Sequence, residues 1–228
     1  MQTFGDGVTV QSVAVAGATG RIGKLTLGLL LEKGYKVRAF ARTEAQVEEL
    51  LALGAQEAIQ VDLEIISVEE LATLLVGCKA LISAIGMRPP MQANVIEAVE
   101  NQGVRKMADA AKAAGIKRLI LTSSIGASKP ESIPFLTEVL RGKQKGEEYL
   151  LQSGLDYTIV RPGGLIDEPG GQPVLVGRGD TIRGRITRAD VAAVLVSALE
   201  QPTASGQVIE IINSPEGKQV TDPTLFLS

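Results

Sequence analysis

Short β-branched runs alternate with stretches of a dozen or more residues whose apolar positions recur at helical spacing, and the rhythm continues to about Glu210. It predicts strands at Ser12–Ala16, Lys36–Ala41, Glu57–Val61, Ala80–Ala84, Arg118–Thr122, Asp156–Arg161 and Val208–Ile212, with helices between them. Strands joined through helices pair in parallel, and the helices then cover both faces. The expected fold is therefore α/β, a doubly wound, mostly parallel sheet in a single domain spanning residues 1–228. Gly34, Gly115 and Gly154 each follow a helical stretch, as left-handed C-terminal caps do. Beyond Arg161 the texture changes. Pro162-Gly163-Gly164, Pro169-Gly170-Gly171-Gln172-Pro173 and Gly177-Arg178-Gly179 crowd together, which predicts irregular loops. Ligands of an open parallel sheet bind beyond the carboxyl ends of its strands, so these loops, about 123–190, mark the substrate side.

The first predicted strand runs directly into Gly17, Gly20 and Gly23, spaced three apart, with Ala18, Thr19, Arg21 and Ile22 between them. The first glycine permits a sharp turn out of the strand, the second lets the backbone approach a phosphate, and the third lets helix and strand pack closely. The following helix, about Arg21 to Lys33, aims its free N–H groups and the positive end of its dipole at the same point. This is a pyrophosphate site of a Rossmann-like sheet, with its cofactor half at about 12–130.

Composition narrows the chemistry. With 228 residues, 45% apolar and 21% charged, the chain can bury one sizeable core. A net charge of −3, from 23 basic and 26 acidic residues, suggests neither a nucleic-acid groove nor a polybasic membrane patch. The apolar runs Leu25–Leu31 and Val191–Leu199 fall short of the ~20 residues a bilayer span needs, and the first residues lack a secretory pattern. The expected location is cytoplasmic, or the plastid stroma if a transit peptide has been removed. Cys78 is the only cysteine and reads as a small core residue. Histidine is absent, which removes the usual general base and the commonest zinc ligand, and no metal is expected. Any reaction must use Ser, Thr, Tyr, Lys, Arg or carboxylates, or leave the difficult step to a cofactor.

An NAD site wants a carboxylate about twenty residues past the glycines. Here the second strand, Lys36-Val37-Arg38-Ala39-Phe40-Ala41-Arg42, ends without one. A carboxylate would repel the 2′-phosphate of NADP, whereas a guanidinium holds it by paired hydrogen bonds. The cofactor expected is NADPH, with Arg42 on the phosphate, Arg21 reaching it from the first helix and Thr43 adding a hydroxyl. Asp62 can accept from the adenine amino group while Leu63 packs on the ring, or Asp62 can cap a helix. Ala84, Ile85 and Gly86 offer small residues and exposed backbone where a cofactor passes, or simply a turn.

Together, Gly17-Ala18-Thr19-Gly20-Arg21-Ile22-Gly23, Leu121-Thr122-Ser123-Ser124, Lys145, and Ser153-Gly154-Leu155-Asp156-Tyr157-Thr158-Ile159-Val160-Arg161-Pro162-Gly163 resemble the atypical short-chain dehydrogenase/reductases. The chain is most similar to the small NADPH-binding group that includes biliverdin-IXβ reductase/flavin reductase. The resemblance implies that Ser123 or Ser124 sits beside the nicotinamide as a catalytic residue, that Lys145 binds the nicotinamide ribose, and that Arg161, Pro162 and Gly163 adjoin the cofactor. Asp190, in Arg188-Ala189-Asp190-Val191-Ala192, is read as structural. Members with the full catalytic set carry a tyrosine four residues before the lysine; here that position is Arg141. Tyr149 is read as a packing residue, with the pocket as its alternative. Without an acid, a conjugated acceptor that spreads charge itself suits the site: a flavin, a biliverdin-like tetrapyrrole or a quinone. Phe135, Leu165 and Ile166 could line a slot for such a planar substrate, although Phe135 fits a core position equally well. The expected protein is an NADPH-dependent reductase, monomer or weak homodimer. The alternative is a non-catalytic NADP-binding redox sensor or scaffold.

Overall fold

The computed structural model describes residues 11–86 and 92–227. Its main sheet comprises β1 (Ser12–Ala16), β2 (Lys36–Ala41), β3 (Glu57–Gln60), β4 (Cys78–Ser83), β5 (Arg118–Thr122), β6 (Asp156–Pro162), β8 (Val174–Gly177) and β10 (Gln207–Asn213). The order is β3-β2-β1-β4-β5-β6-β10-β8, parallel throughout except for β8, which runs antiparallel to β10 at the edge. The order reverses between β1 and β4, so the carboxyl ends of these strands diverge into a crevice. A second, two-stranded sheet pairs β7 (Gly164–Ile166) with β9 (Arg185–Thr187).

Two apolar layers hold the sheet. On one face α1 (Arg21–Glu32) and α7 (Arg188–Glu200) bury Leu27, Leu30, Val191 and Leu195 against Val13, Val15, Ile82 and Ile120. On the other, α3 (Val68–Leu75), α5 (Gly103–Ala113) and α6 (Thr137–Gln152) bury Leu71, Leu75, Met107 and Leu150 against Ala14, Leu81, Leu119 and Ile159. Each such leucine or isoleucine contributes about 1.5–3 kcal/mol. α2 (Glu44–Ala52) adds Leu50 to the first layer. Among the described residues no helix is long and apolar enough to cross a membrane.

α4 (Ala93–Ile96) continues through a π-helical turn, Glu97–Gln102, directly into α5. α6 crosses that turn by presenting Gly142 and Gly146. A Cβ on Gly142 would stand 3.0 Å from Ile96 Cγ2, and one on Gly146 would strike the Glu100 carbonyl.

Strands β1, β2 and β5 keep the boundaries that the apolar pattern predicts, and the three glycine caps adopt positive φ. β4 begins at Cys78 rather than Ala80, because Ser12 pairs with Cys78 across a register shift. The larger difference lies after Arg161. The segment expected as irregular loop contains β7, β8 and β9. Strands this short, bounded by Gly and Pro, carry too few residues for alternation to register. Cys78 is buried, as expected, and burial pushes its thiol pKa up.

Candidate functional site

The turn after β1 is shaped by contacts only glycine tolerates. Gly17 has φ +75°, and a Cβ there would lie 2.8 Å from Ile85 N and 2.9 Å from the Ala84 carbonyl carbon. A Cβ on Gly23 would collide with the Gly17 carbonyl. Gly20 is the N-cap of α1 and offers no capping side chain, so the first N–H groups of the helix face the crevice with their positive partial charge uncompensated. Ala18 and Ile22 are buried behind the turn in the core, and Thr19 faces outward. The crevice, about 450 Å³, runs from Gly17, Thr19 and Gly20 past Ala84, Ile85 and Gly86 to Asp62, Leu63 and Arg42.

At its far end the Arg42 guanidinium has no partner among the described residues, while its backbone is held on both sides: its N–H donates to Gln46 Oε1 at 3.0 Å, and its carbonyl accepts from Gln60 Nε2 at 3.0 Å. Thr43 caps α2, its hydroxyl accepting from Gln46 N at 3.4 Å. Asp62 Oδ1 accepts from Glu64 N at 2.9 Å, pinning the turn whose Leu63 and Glu64 carbonyls receive Lys106 Nζ at 2.8 and 3.1 Å. Asp62 therefore caps a turn and lines the crevice at once. Arg21 is engaged elsewhere, in a 2.5 Å ion pair with Asp167, which also receives Arg188. That pair is exposed and readily exchanged.

The other candidates lie past β5 and β6. Ser123 Oγ is buried and, like Thr122 Oγ1 beside it and Ser83 Oγ, has no hydrogen-bond partner among the described residues; Ser123 does not line the crevice. Ser124 Oγ is turned to the Ile125 carbonyl at 3.1 Å. Arg161 is buried in a network: Glu147 grips it with both carboxylate oxygens, Ser128 Oγ accepts from it at 3.3 Å and Glu210 stands 3.9 Å away. Burial works against its charge, yet these carboxylates together with Asp180 push its pKa up. Pro162 ends β6 with its carbonyl on Ile125 N, and Gly163 lies so close to Gly184 that a Cβ would stand 2.5 Å from the Gly184 oxygen. In this structure Arg161, Pro162 and Gly163 hold loops together and do not line the crevice.

Residues 17–202 match the family described as NAD(P)H-binding. The chain belongs to this NAD(P)H-binding family. Among its relatives, a Bacillus subtilis (strain 168) protein named an uncharacterized sugar epimerase, YhfK, is 35% identical over 87% of this chain and 92% of its own. Sanguinarine reductase of Eschscholzia californica is 30% identical over 90% of both chains. The solved structure of ChuY, described as an anaerobillin reductase from Escherichia coli O157:H7, superposes with a TM-score of 0.78 at 28% identity, covering 91% of this chain and 99% of that one.

For a member of the NAD(P)H-binding family, the placement of the lysines on α6 matters. Lys145 is half-exposed and pairs with Glu97 at 3.1 Å on the wall of a second cavity of about 470 Å³, across α4 from the crevice. Lys143, about 200° around the helix from it, is the lysine turned inward; it meets buried Glu100 at 2.8 Å, one turn before Glu147. The signal was available in the sequence, since Lys143 keeps helical spacing with the apolar Val139 and Leu140 stripe and Lys145 does not. Four residues before Lys143 stands Val139, so this register supplies no tyrosine either. Tyr149 donates to Asp109 at 2.7 Å under Arg105; that hydrogen bond, with burial, raises its pKa, and it serves packing between α5 and α6. Asp190 accepts from Thr187 Oγ1, Asn213 Nδ2 and Gly171 N, a structural hub as expected. Phe135 is 84% exposed, which excludes the core position.

Proposed function

We propose that this protein is an NADPH-dependent reductase of planar conjugated acceptors such as flavins, biliverdin-like tetrapyrroles or quinones. The observation that carries the cofactor preference is Arg42, a guanidinium without a partner among the described residues, at the end of β2 where no carboxylate stands. Gly17 and Gly20 would admit the pyrophosphate to the uncapped start of α1, and Asp62 and Leu63 would meet the adenine. When bound, the cofactor supplies hydride.

The acceptor class follows from what the chain does with its acids. No tyrosine precedes either lysine by one turn, and the Tyr149 hydroxyl is committed to Asp109. Ser123 Oγ at the end of β5, unpartnered among the described residues, would orient an acceptor that delocalises its own charge. The same lack argues against epimerase chemistry, which leans on that acid, and the reductase names of two relatives support the reading.

The test is NADPH oxidation with a panel of flavins, quinones and tetrapyrroles, with aldehydes as contrast. Acceleration by the conjugated set alone is the expected result. Tight NADP⁺ binding with no turnover on any acceptor would replace the enzyme by a redox sensor or scaffold.

A further inference from the structure

Arg42 is held in a way its role as a phosphate ligand does not itself require. The residue lies just past β2, exposed, on a two-residue bend into α2. Thr43 caps α2 and Gln46 is the third helical residue, the positions of a capping box, in which the Gln46 side chain would return to the N–H of Thr43. It reaches one residue further, to the Arg42 N–H at 3.0 Å, and from the neighbouring strand β3 Gln60 donates to the Arg42 carbonyl at 3.0 Å. Both peptide groups flanking the Arg42 Cα are thus fixed by side-chain amides from two different elements, while the guanidinium stays unpartnered. Gln46 also lines the crevice, and its Nε2 has no partner among the described residues.

We infer that Gln46 and Gln60 form a clamp that sets dinucleotide selectivity, positioning residues that hold Arg42 aimed at an adenosine 2′-phosphomonoester. The inference rests on the NADPH reading. An arginine side chain gives up considerable rotamer freedom when it binds an anion. A pinned Cα removes the backbone share of that cost before the ligand arrives. A cofactor with a bare 2′-hydroxyl has no charge for Arg42 to meet, so the clamp affects only the phosphorylated dinucleotide.

The experiment compares NADP⁺ and NAD⁺ binding by calorimetry for the full chain, its Gln46→Met and Gln60→Met variants, Arg42→Ala, and each Met variant combined with Arg42→Ala. Thermal unfolding of every variant monitors the fold. Both Met variants are expected to lower the NADP⁺/NAD⁺ affinity ratio about three- to tenfold, the range of one lost hydrogen bond, with NAD⁺ binding within about twofold in Gln60→Met, which lies outside the crevice lining. In the Arg42→Ala background the same substitutions are expected to leave the NADP⁺/NAD⁺ ratio unchanged, because they act through the arginine. Equal losses for both dinucleotides, or an undiminished effect without Arg42, would overturn the clamp. So would an unchanged ratio in both Met variants while Arg42→Ala still abolishes the preference, a result that leaves the NADPH reading standing. An NADP⁺/NAD⁺ ratio indifferent to Arg42 itself would overturn that reading, and the clamp with it.

Discussion

On the β1–β3 side of the carboxyl rim, the helix that opens at Arg21 has no capping side chain and the Arg42 guanidinium has no partner among the described residues. On the β5–β10 side the charges are spent on each other: Arg161 on Glu147 and Glu210, Lys143 on Glu100, and Asp190 on Thr187, Asn213 and Gly171. Buried charge must be compensated wherever it occurs. On the β5–β10 side the protein compensates it internally, whereas on the other the exposed Arg42 guanidinium and the uncapped helix start face solvent and stay free for a ligand. Unspent polarity is therefore the better guide to the site, and among the described residues of the second side Ser123 Oγ shares it with the adjacent Thr122 Oγ1 and with Glu100 Oε1.

The sharpest break of this contrast is Arg161→Met. If Arg161 is architecture, its loss strands Glu147 and Glu210 and lowers unfolding stability in urea by about 3–5 kcal/mol, with NADP⁺ affinity nearly unchanged at temperatures where the variant is folded. A cofactor ligand would show the reverse, an intact fold with weakened binding. Gly20→Ala probes the opposite side. Its Cβ would meet only the Gly17 oxygen at 3.2 Å and the Ala84 oxygen at 4.0 Å, so the fold accommodates it with a small shift. The methyl nonetheless occupies the approach to the helix N-terminus, and calorimetry is expected to show NADP⁺ and NAD⁺ weakened together by about tenfold or more.

Ser123→Ala separates the two kinds of polarity within one region. Removing a buried hydroxyl that has no partner relieves a desolvation penalty, so the melting temperature should hold or rise slightly. Turnover with the best acceptor should fall about tenfold at constant NADPH affinity, the signature of a group that contacts the reacting end. A lower melting temperature with unchanged turnover would return Ser123 to the architecture.

These contrasts explain which parts of the molecule were legible in the sequence. The cradle was readable because Gly17 and Gly23 are demanded by backbone contacts within a few residues of themselves or at the next strand end. The sheet was readable because buried parallel strands are apolar runs. The surroundings of Arg161 and Lys145 were not, because they depend on which face of α6 meets which strand, a tertiary fact. Local order of residues could say that a lysine sits on the helix, and only the helical phase relative to Val139 and Leu140 says which one turns inward. The short strands β7 to β9 escaped for a similar reason, since they are specified by partners across the chain: Gly164 by Arg185 and Val174 by Asn213.

The smallest expected effect concerns Glu97, which holds Lys145 on the outer wall. Its carboxyl lies below the usual glutamate range, through the Asn101 hydrogen bond first and Lys145 second. A lowered folded pKa contributes stability that is present above the unfolded glutamate value and disappears as pH falls through the folded one. The difference in unfolding stability between the native chain and Glu97→Gln should therefore be visible at pH 7 and shrink toward zero below about pH 4. Both side chains are half-exposed, so its size should stay under about 1 kcal/mol, and Lys145→Ala should leave NADPH turnover within about twofold. A large loss of turnover in Lys145→Ala would mean that this pair opens during the reaction and that the second region, too, keeps a charge in reserve for its ligand.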